Sequence, residues 1–136
     1  MKRIYTFGHE QVERNITVGD IISNKNDNIK MTQVTAANKE EAEIIANENI
    51  DMIITGSDWY EDVRKGAPNT FITAALFAGR FITNEEILRG AFDVMMAGAD
   101  SVLTPRSFDV VEMLAKEGMQ VQGHVGMVPS MATKYG

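Results

Sequence analysis

The feature that most constrains the fold of this chain is a repeat that begins near Lys30. Each unit has a short β-rich run, a polar turn and an amphipathic stretch, and it ends on glycine or asparagine. Strands that alternate with helices imply parallel pairing with right-handed crossovers. The sequence therefore predicts an α/β fold around a parallel sheet, either opened as a doubly wound sheet or curled into a barrel. The predicted strands are residues 30–36, 51–56, 70–76, 101–104 and 120–124.

The stretches between these strands carry the start and stop signals of helices. The N–H groups of a first helical turn need acceptors, which Ser, Thr or Asn before the helix and Glu three residues later can supply. A glycine just past the last turn accepts the left-handed conformation that ends a helix. These signals predict three helices. The first starts at Asn38 with Glu41, the second at Thr83 with Glu86, and the third at Ser107. Gly98 marks the end of the second helix and Gly118 the end of the third.

The length of 136 residues is that of one ordinary domain. We expect an N-terminal segment, residues 1–29, followed by a partial β/α barrel domain, residues 30–136. The segment contains a predicted short helix at 17–23, and its polar run at 24–28 is typical of a loop. The crossover at 58–66 has room for only about two helical turns.

Composition narrows the classes of partner. Thirteen Lys and Arg stand against nineteen Asp and Glu, and this net charge of -6 argues against nucleic acid as the main partner. The chain has no cysteine, which excludes disulfides and thiolate metal sites and fits a reducing compartment. No stretch of about 18 apolar residues suggests a membrane span. We therefore expect a soluble, cytoplasmic protein whose partners are small molecules or proteins.

Candidate site residues follow from the predicted sheet. Ligands of parallel α/β proteins collect at the carboxyl ends of the strands, where loops converge. The polar side chains at or just past those ends are Thr35, Ser57, Asp58, Thr104, Arg106 and His124, and Ser130 follows Pro129 a little further on.

Two of these residues are the catalytic candidates. His124 lies between Gly123 and Gly126, which leave room for a ligand close to the backbone. A histidine there can donate a hydrogen bond to a ligand or move a proton. Equally, its ring nitrogens could form hydrogen bonds within the protein and have only a structural role. Asp58 could hold a divalent cation or orient a substrate hydroxyl, and it could also be the N-cap of the next helix. Asp58 is the only candidate metal ligand.

The other candidates would bind substrate. Arg106 could clamp a carboxylate or phosphate with two hydrogen bonds, or it could be a solvated surface arginine. Ser130 could bind an anion through its hydroxyl, or it could end a turn. These residues, with Ser57, Thr35 and Thr104, indicate where a site lies but do not identify a reaction.

Several strings resemble the ketopantoate hydroxymethyltransferases (3-methyl-2-oxobutanoate hydroxymethyltransferases), which belong to the phosphoenolpyruvate/pyruvate barrel superfamily. The string at 63–69, VRKGAPN, is similar to the family's turn before its third strand. The string at 123–130, GHVGMVPS, is similar to the family's Gly-His-(Leu/Ile)-Gly-Leu-Thr-Pro-Gln-Ser segment. Further similar strings lie at 16–18, 53–56 and 95–102, so that the resemblance covers nearly the whole chain.

The resemblance implies a (β/α)8 barrel in which Mg²⁺ binds a small 2-oxo acid, and the resulting enolate attacks the one-carbon unit of methylene tetrahydrofolate. His124 matches a family site residue. The family's Gly-Asp-Ser after its second strand is Gly56-Ser57-Asp58 in this chain. The family's metal-binding aspartate falls on Ala75, and its lysine and glutamate fall on Leu103 and Pro105.

Two hypotheses of different classes follow. In the first, the chain is a hydroxymethyltransferase-like enzyme of pantothenate biosynthesis that acts on a small 2-oxo acid through Asp58 and His124. In the second, it is a non-catalytic small-molecule-binding or assembly protein derived from that barrel. A (β/α)8 barrel takes about 250 residues, so this chain corresponds to roughly five of its eight units. We expect either a truncated reading frame or a reduced barrel that is open or completed by homo-oligomerisation.

Overall fold

A computed structural model describes residues 1–135 and contains two sheets. Strands β1 (Lys2–Tyr5) and β2 (Gln11–Arg14) form an antiparallel hairpin. The second sheet has five parallel strands in the order β3-β4-β5-β6-β7. These strands are β3 (Gln33–Thr35), β4 (Met52–Gly56), β5 (Phe71–Ala75), β6 (Ser101–Thr104) and β7 (Val121–Gly123).

Helices connect the parallel strands, as the repeat predicts. They are α1 (Val18–Asn26), α2 (Lys39–Asn47), α3 (Tyr60–Gly66), α4 (Asn84–Met96) and α5 (Phe108–Lys116), followed by a 3-10 turn (Pro129–Met131) and α6 (Ala132–Tyr135). The predicted α/β class, the five parallel strands and the short crossover after β4 are confirmed. The order of neighbours in the sheet equals the order along the chain, which is the order of a barrel wall.

Two local predictions are wrong, and one element was not predicted. The first parallel strand begins at Gln33 and not at Lys30, because the Thr32 N–H donates to the side chain of Asp51, at 2.7 Å, and not to a neighbouring strand. The predicted loop at 24–28 is helical to Asn26, because a capping box of Thr17 and Asp20 stabilises the start of α1 and the helix continues through the polar residues. The hairpin β1–β2 was not predicted, since its strands are short and its turn, which contains Gly8 and has His9 at φ 65°, lacks the Asn-Gly or Asp-Gly pair that most strongly signals a reversal.

The helix signals are largely confirmed. Thr83 Oγ1 accepts from the Glu86 N–H at 3.2 Å, and the Glu86 carboxylate accepts from the Thr83 N–H at 2.8 Å. Gly98 and Gly118 follow their helices at φ 99° and 82°. Ser107 precedes α5 at the predicted place, but its hydroxyl makes no capping hydrogen bond.

One face of the parallel sheet packs against the helices. Ile53, Ile72 and Val102 point to that side from β4, β5 and β6, and each is fully buried. They meet apolar residues of the helices such as Ile87 and Leu114, also fully buried. Burial of this layer, at roughly 25 cal/mol per Å² of apolar surface, is the main force that holds the helices on the sheet.

The opposite face of the sheet is concave. The side-chain amides of Gln33 on β3 and Gln122 on β7 hydrogen-bond to each other at 3.4 and 3.3 Å. In a flat sheet, β3 and β7 would lie about 19 Å apart. Two extended glutamines joined by a hydrogen bond span only about 13 Å between their Cα atoms. The sheet must therefore curl, as expected for a partial eight-stranded barrel, in which strands four positions apart lie opposite each other.

The strand register places one row of residues across this concave face. Gly56, Ala75, Leu103 and Gln122 are successive partners on β4, β5, β6 and β7. Register partners in a parallel sheet point to the same side, so this row lies on the face that carries Gln122. Ala75 and Leu103, the positions of the family's aspartate and lysine, therefore line the barrel interior near the carboxyl ends of the strands.

Candidate ligand site at the carboxyl ends of the strands

The segments that follow the parallel strands form what we call the carboxyl rim. It consists of Ser57 and Asp58 after β4, the loop 77–82 after β5, Arg106 after β6 and His124 after β7. The parallel topology brings these segments to one edge of the sheet because all five strands run in the same direction.

The rim brings His124 and Arg106 together. Both line a cavity of about 410 Å³, whose walls also include Phe108 at the start of α5 and Val125. The backbone N–H of His124 donates to the Thr104 carbonyl at 3.3 Å, which anchors the end of β7 beside β6, while the histidine side chain is exposed. The cavity therefore presents an imidazole at a position that solvent and a small ligand can reach.

Arg106 joins this cavity to the loop after β5. Its Nη1 donates to the carbonyls of Phe81 at 2.8 Å and of Ile82 at 2.6 Å. Its backbone N–H donates to Thr104 Oγ1 at 3.2 Å. One guanidinium nitrogen of Arg106 thus binds the loop 77–82 and holds it against the β6 side of the rim.

Ser57 and Asp58 line a different cleft, of about 220 Å³, which also includes Arg80 and Asp93. Asp58 forms an ion pair with Arg80 in which both side chains are about half exposed. The Ser57 Oγ is buried and has no hydrogen-bond partner among the described residues. Arg80 was not among the candidates from the sequence, because an arginine in a loop, here the apolar stretch 77–82, gives no local signal of the carboxylate with which it pairs.

The remaining candidates lie apart from both cavities. Thr104 is fully buried, and its hydroxyl accepts the Arg106 N–H, so it supports the turn after β6. Thr35 is exposed at the end of β3, and Ser130 is exposed in the 3-10 turn. Neither Thr35 nor Ser130 lines the cavity of His124 or the cleft of Ser57.

The described residues do not fit a magnesium site of the family's kind. Mg²⁺ prefers oxygen ligands from carboxylates. Ala75, Leu103 and Pro105 provide no side-chain oxygen, and the carboxylate of Asp58 is paired with Arg80. Within residues 1–135, no three side chains of Asp, Glu, His or Cys come close enough to hold an ion.

The opposite end of the sheet holds a buried charge network that sequence reasoning missed. Asp100 Oδ1 accepts from Arg14 Nε and Asp100 Oδ2 from Arg64 Nη2, each at 2.7 Å, and the Ile72 N–H donates to Oδ2 at 2.8 Å. Arg14 and Asp100 side chains are 3% and 5% exposed. The strings at 63–69 and 95–102, which contain Arg64 and Asp100, were a signal that these residues matter, but they do not tell which pair with which.

The carbonyls around these arginines complete the network. Arg64 Nη1 donates to Thr70 O at 2.7 Å and to Ala67 O at 3.0 Å, and Arg14 Nη2 donates to Gly98 O at 3.1 Å. The network therefore ties β2 and α3 to the segments that precede β5 and β6. A cavity of about 550 Å³ lies beside it, lined by Arg14 and Arg64 among others.

Tyr60 extends this network into the core. Its hydroxyl accepts from Arg64 Nε at 3.1 Å and donates to the Ala97 carbonyl at 3.4 Å. Burial raises the pKa of the Tyr60 phenol, an effect that the neighbouring Arg64 partly opposes. The phenol is therefore neutral at physiological pH and acts as a structural hydrogen-bond donor.

Comparison with known proteins finds relatives with one shared name, 3-methyl-2-oxobutanoate hydroxymethyltransferase. The protein of this name from Deinococcus radiodurans is 40% identical over 80 residues, which covers 54% of this chain and 28% of the relative. The Geobacillus sp. protein is 30% identical over 139 residues, covering 83% of this chain and 50% of the relative. The Klebsiella pneumoniae (strain 342) protein is 28% identical over 136 residues, covering 82% and 52%.

These relatives confirm the resemblance drawn from the strings. The chain spans about half the length, or less, of the curated relatives it matches. No family model matches the chain. Among the described residues, no helix has the length and apolar character needed to cross a membrane.

Proposed function

We propose that this relative of the 3-methyl-2-oxobutanoate hydroxymethyltransferases binds a small 2-oxo acid at its carboxyl rim, in the cavity lined by His124 and Arg106. The observation that carries the proposal is the shared cavity of these two residues. Of the residues carried over from the family, His124 is the one that matches a site residue, and Arg106 adds a fixed positive charge beside it.

The chemistry of the cavity suits such a ligand. A 2-oxo acid has a carboxylate that binds a guanidinium and a keto oxygen that accepts a hydrogen bond from an imidazole N–H. The apolar walls at Phe108 and Val125 suit a short branched carbon chain. A volume of about 410 Å³ is within the range of small-molecule sites and is ample for an acid of five carbons.

The proposed function is binding without a divalent cation held by this chain's own residues. Hydroxymethyl transfer requires that a proton leave the carbon beside the keto group and that the enolate oxygen be stabilised. In the family, Mg²⁺ supplies that stabilisation, and the family's metal-binding aspartate falls on Ala75 here. Transfer of the one-carbon unit is therefore not part of the proposed function of these residues.

The two histidines of the chain provide a matched test. Titration calorimetry with 3-methyl-2-oxobutanoate should show that His124→Ala weakens binding by roughly two- to tenfold, since the hydrogen bond from the imidazole to the keto oxygen is lost. His9→Asn should leave the Kd unchanged, because His9 lies in the β1–β2 turn and asparagine tolerates its positive φ. Equal Kd values for the two variants would contradict the proposal.

A second candidate function, self-assembly, is favoured by the surface beside β7. Phe108, Val125 and Met127 are 71%, 67% and 72% exposed, and β7 is an edge of the five-stranded sheet. Large apolar side chains beside a sheet edge are typical of association surfaces. Sedimentation equilibrium should show a homo-oligomer that Val125→Asp dissociates and that Ile44→Asp, at an exposed isoleucine on α2, does not. A monomer under all conditions would contradict this candidate.

A further inference from the structure

The ion pair of Asp58 and Arg80 is the starting point of a further inference about the rim. Arg80 lies in the loop after β5 and Asp58 follows β4, so the pair bridges two neighbouring strand ends. We infer that Arg80 is a carboxylate-binding residue of the rim and that Asp58 occupies its guanidinium until the acid displaces it. This inference rests on the proposed function and names a residue that recognises the ligand.

The position of Arg80 allows it to reach the ligand cavity. The neighbouring residue Phe81 accepts a hydrogen bond from Arg106 Nη1 at 2.8 Å. Covalent geometry then places the Cα of Arg80 within about 9 Å of that nitrogen. An extended arginine side chain reaches roughly 7 Å from its Cα, so the Arg80 guanidinium can approach a carboxylate bound beside Arg106.

The exposure of the pair makes the exchange easy. The side chains of Arg80 and Asp58 are 58% and 46% exposed, and an ion pair in that setting adds little to stability because water and salt screen it. A carboxylate ligand makes the same kind of contact as the Asp58 carboxylate, so the two compete for one guanidinium. In the absence of ligand, the Asp58 carboxylate thus occupies the position on Arg80 that the ligand's carboxylate takes when it binds.

Other charges nearby determine where the acid binds. Glu61 and Asp93 line the cleft behind the pair, together with Ser57 and Asp58. Carboxylates in that cleft repel a second anion, so the acid is held on the cavity side of the loop 77–82. Arg106 already fixes that loop through the Phe81 and Ile82 carbonyls, so the backbone of Arg80, whose side chain lines the cleft, stays within reach of the cavity.

This inference gives Asp58 a role opposite to that of a metal ligand or catalytic acid. If Asp58 held a cation or contacted the substrate, its removal would weaken binding. If Asp58 competes with the acid for Arg80, its removal strengthens binding. A merely structural ion pair gives a third pattern, in which the loss of either partner has the same effect.

The test is calorimetric titration of the full chain with 3-methyl-2-oxobutanoate. Asp58→Asn should lower the Kd about two- to five-fold, because the competing carboxylate is removed. Arg80→Gln should raise the Kd about tenfold or more, because a charged hydrogen bond to the ligand is lost. Glu85→Gln and Arg89→Gln, which break another exposed ion pair on α4, are the controls and should leave the Kd unchanged.

The outcomes separate this inference from the function on which it rests. If the unaltered chain does not bind the acid, the proposed function itself is overturned. Binding by the unaltered chain that Arg80→Gln leaves intact would overturn only the role of Arg80. Equal changes in both variants, or weaker binding by Asp58→Asn, would overturn the competition. Thermal unfolding of each variant shows whether the fold is retained, and Arg80→Lys, which keeps the charge, should recover part of the binding.

Discussion

The two ends of the parallel sheet use ion pairs in opposite ways. At the amino end, Asp100 is buried and bound by Arg14 and Arg64, and backbone carbonyls take up further N–H groups of both arginines. At the carboxyl rim, Asp58 and Arg80 form a pair that is about half exposed. The charges of the first set are largely buried, with Arg64 the most exposed at 16%, whereas the second pair is open to a competing anion.

Burial separates the residues that stabilise the fold from the residues that are available to a ligand. A buried charge is tolerated only where every partner is present, so removal of one partner is costly. An exposed pair contributes little to stability, so its residues are free to serve binding. We therefore expect substitutions at the amino end to change stability and substitutions at the rim to change affinity.

The largest expected effect is that of Asp100→Asn. The substitution leaves two arginines near a neutral side chain, and we expect the free energy of unfolding to fall by about 3–5 kcal/mol. Urea titration followed by circular dichroism measures this change. Asp109→Asn, at an exposed aspartate in the first turn of α5, is the control and should cost no more than about 1 kcal/mol, the interaction of a carboxylate with the helix dipole. Similar values for both variants would remove the contrast between the two ends.

Substitution of two glycines, one in the packed interior and one in the rim loop, tests whether packing also differs between these two regions. A Cβ on Gly66 would lie 2.2 Å from the Lys39 carbonyl oxygen and 2.9 Å from the Ala42 Cβ. A Cβ on Gly79, in the rim loop, would meet nothing within 4 Å. Gly66→Ala should therefore lower the free energy of unfolding by about 1–3 kcal/mol, and Gly79→Ala should leave it nearly unchanged. If Gly66→Ala proves neutral, the close packing of α3 on the start of α2 is not as described.

Two helix starts at the rim provide a smaller contrast. Thr83→Ala removes the capping hydrogen bond to the Glu86 N–H and should cost about 1 kcal/mol. Ser107→Ala should cost much less, because the Ser107 hydroxyl makes no capping bond. Urea titration of both variants checks the order, and an equal loss for the two would show that Ser107 caps α5 in solution.

The smallest effect concerns acid stability. Hydrogen bonds from Lys2 and Thr17 lower the pKa of Asp20 from 3.8 to about 2. A carboxyl with a lowered folded-state pKa contributes stability that is fully present above its unfolded value and is lost as the pH falls through the folded value. Unfolding free energies measured between pH 5 and pH 2 should therefore fall less steeply for Asp20→Asn than for the unaltered chain. Identical slopes would contradict the capping role of Asp20.

Much of the fold was predictable because its signals are local. Apolar periodicity indicated all five parallel strands, and the pairs Asn38 with Glu41 and Thr83 with Glu86 marked helix starts within one turn of sequence. The hairpin β1–β2 was missed because its strands have only four residues each and a single glycine, Gly8, is a weak signal of a turn. The boundary at Asn26 was missed because polar residues can continue a helix that is already capped.

The site was less predictable because its contacts are distant in sequence. Arg14 and Asp100 are 86 residues apart, and Asp58 and Arg80 are 22 residues apart. Spacing alone cannot pair such residues. Strand ends did identify His124 and Arg106, which share a cavity, because the parallel topology forces strand ends together. Position at a strand end could not distinguish these two residues from Thr104, whose hydroxyl accepts the Arg106 N–H and so stabilises the turn after β6.

In the proposed function, the positive charge at the rim comes from arginine side chains and not from a bound cation. The most direct measurement is the Kd for 3-methyl-2-oxobutanoate, determined by calorimetry first with EDTA and then with excess Mg²⁺. We predict binding in EDTA with the same Kd after Mg²⁺ is added. Binding that appears only with Mg²⁺ would contradict the claim.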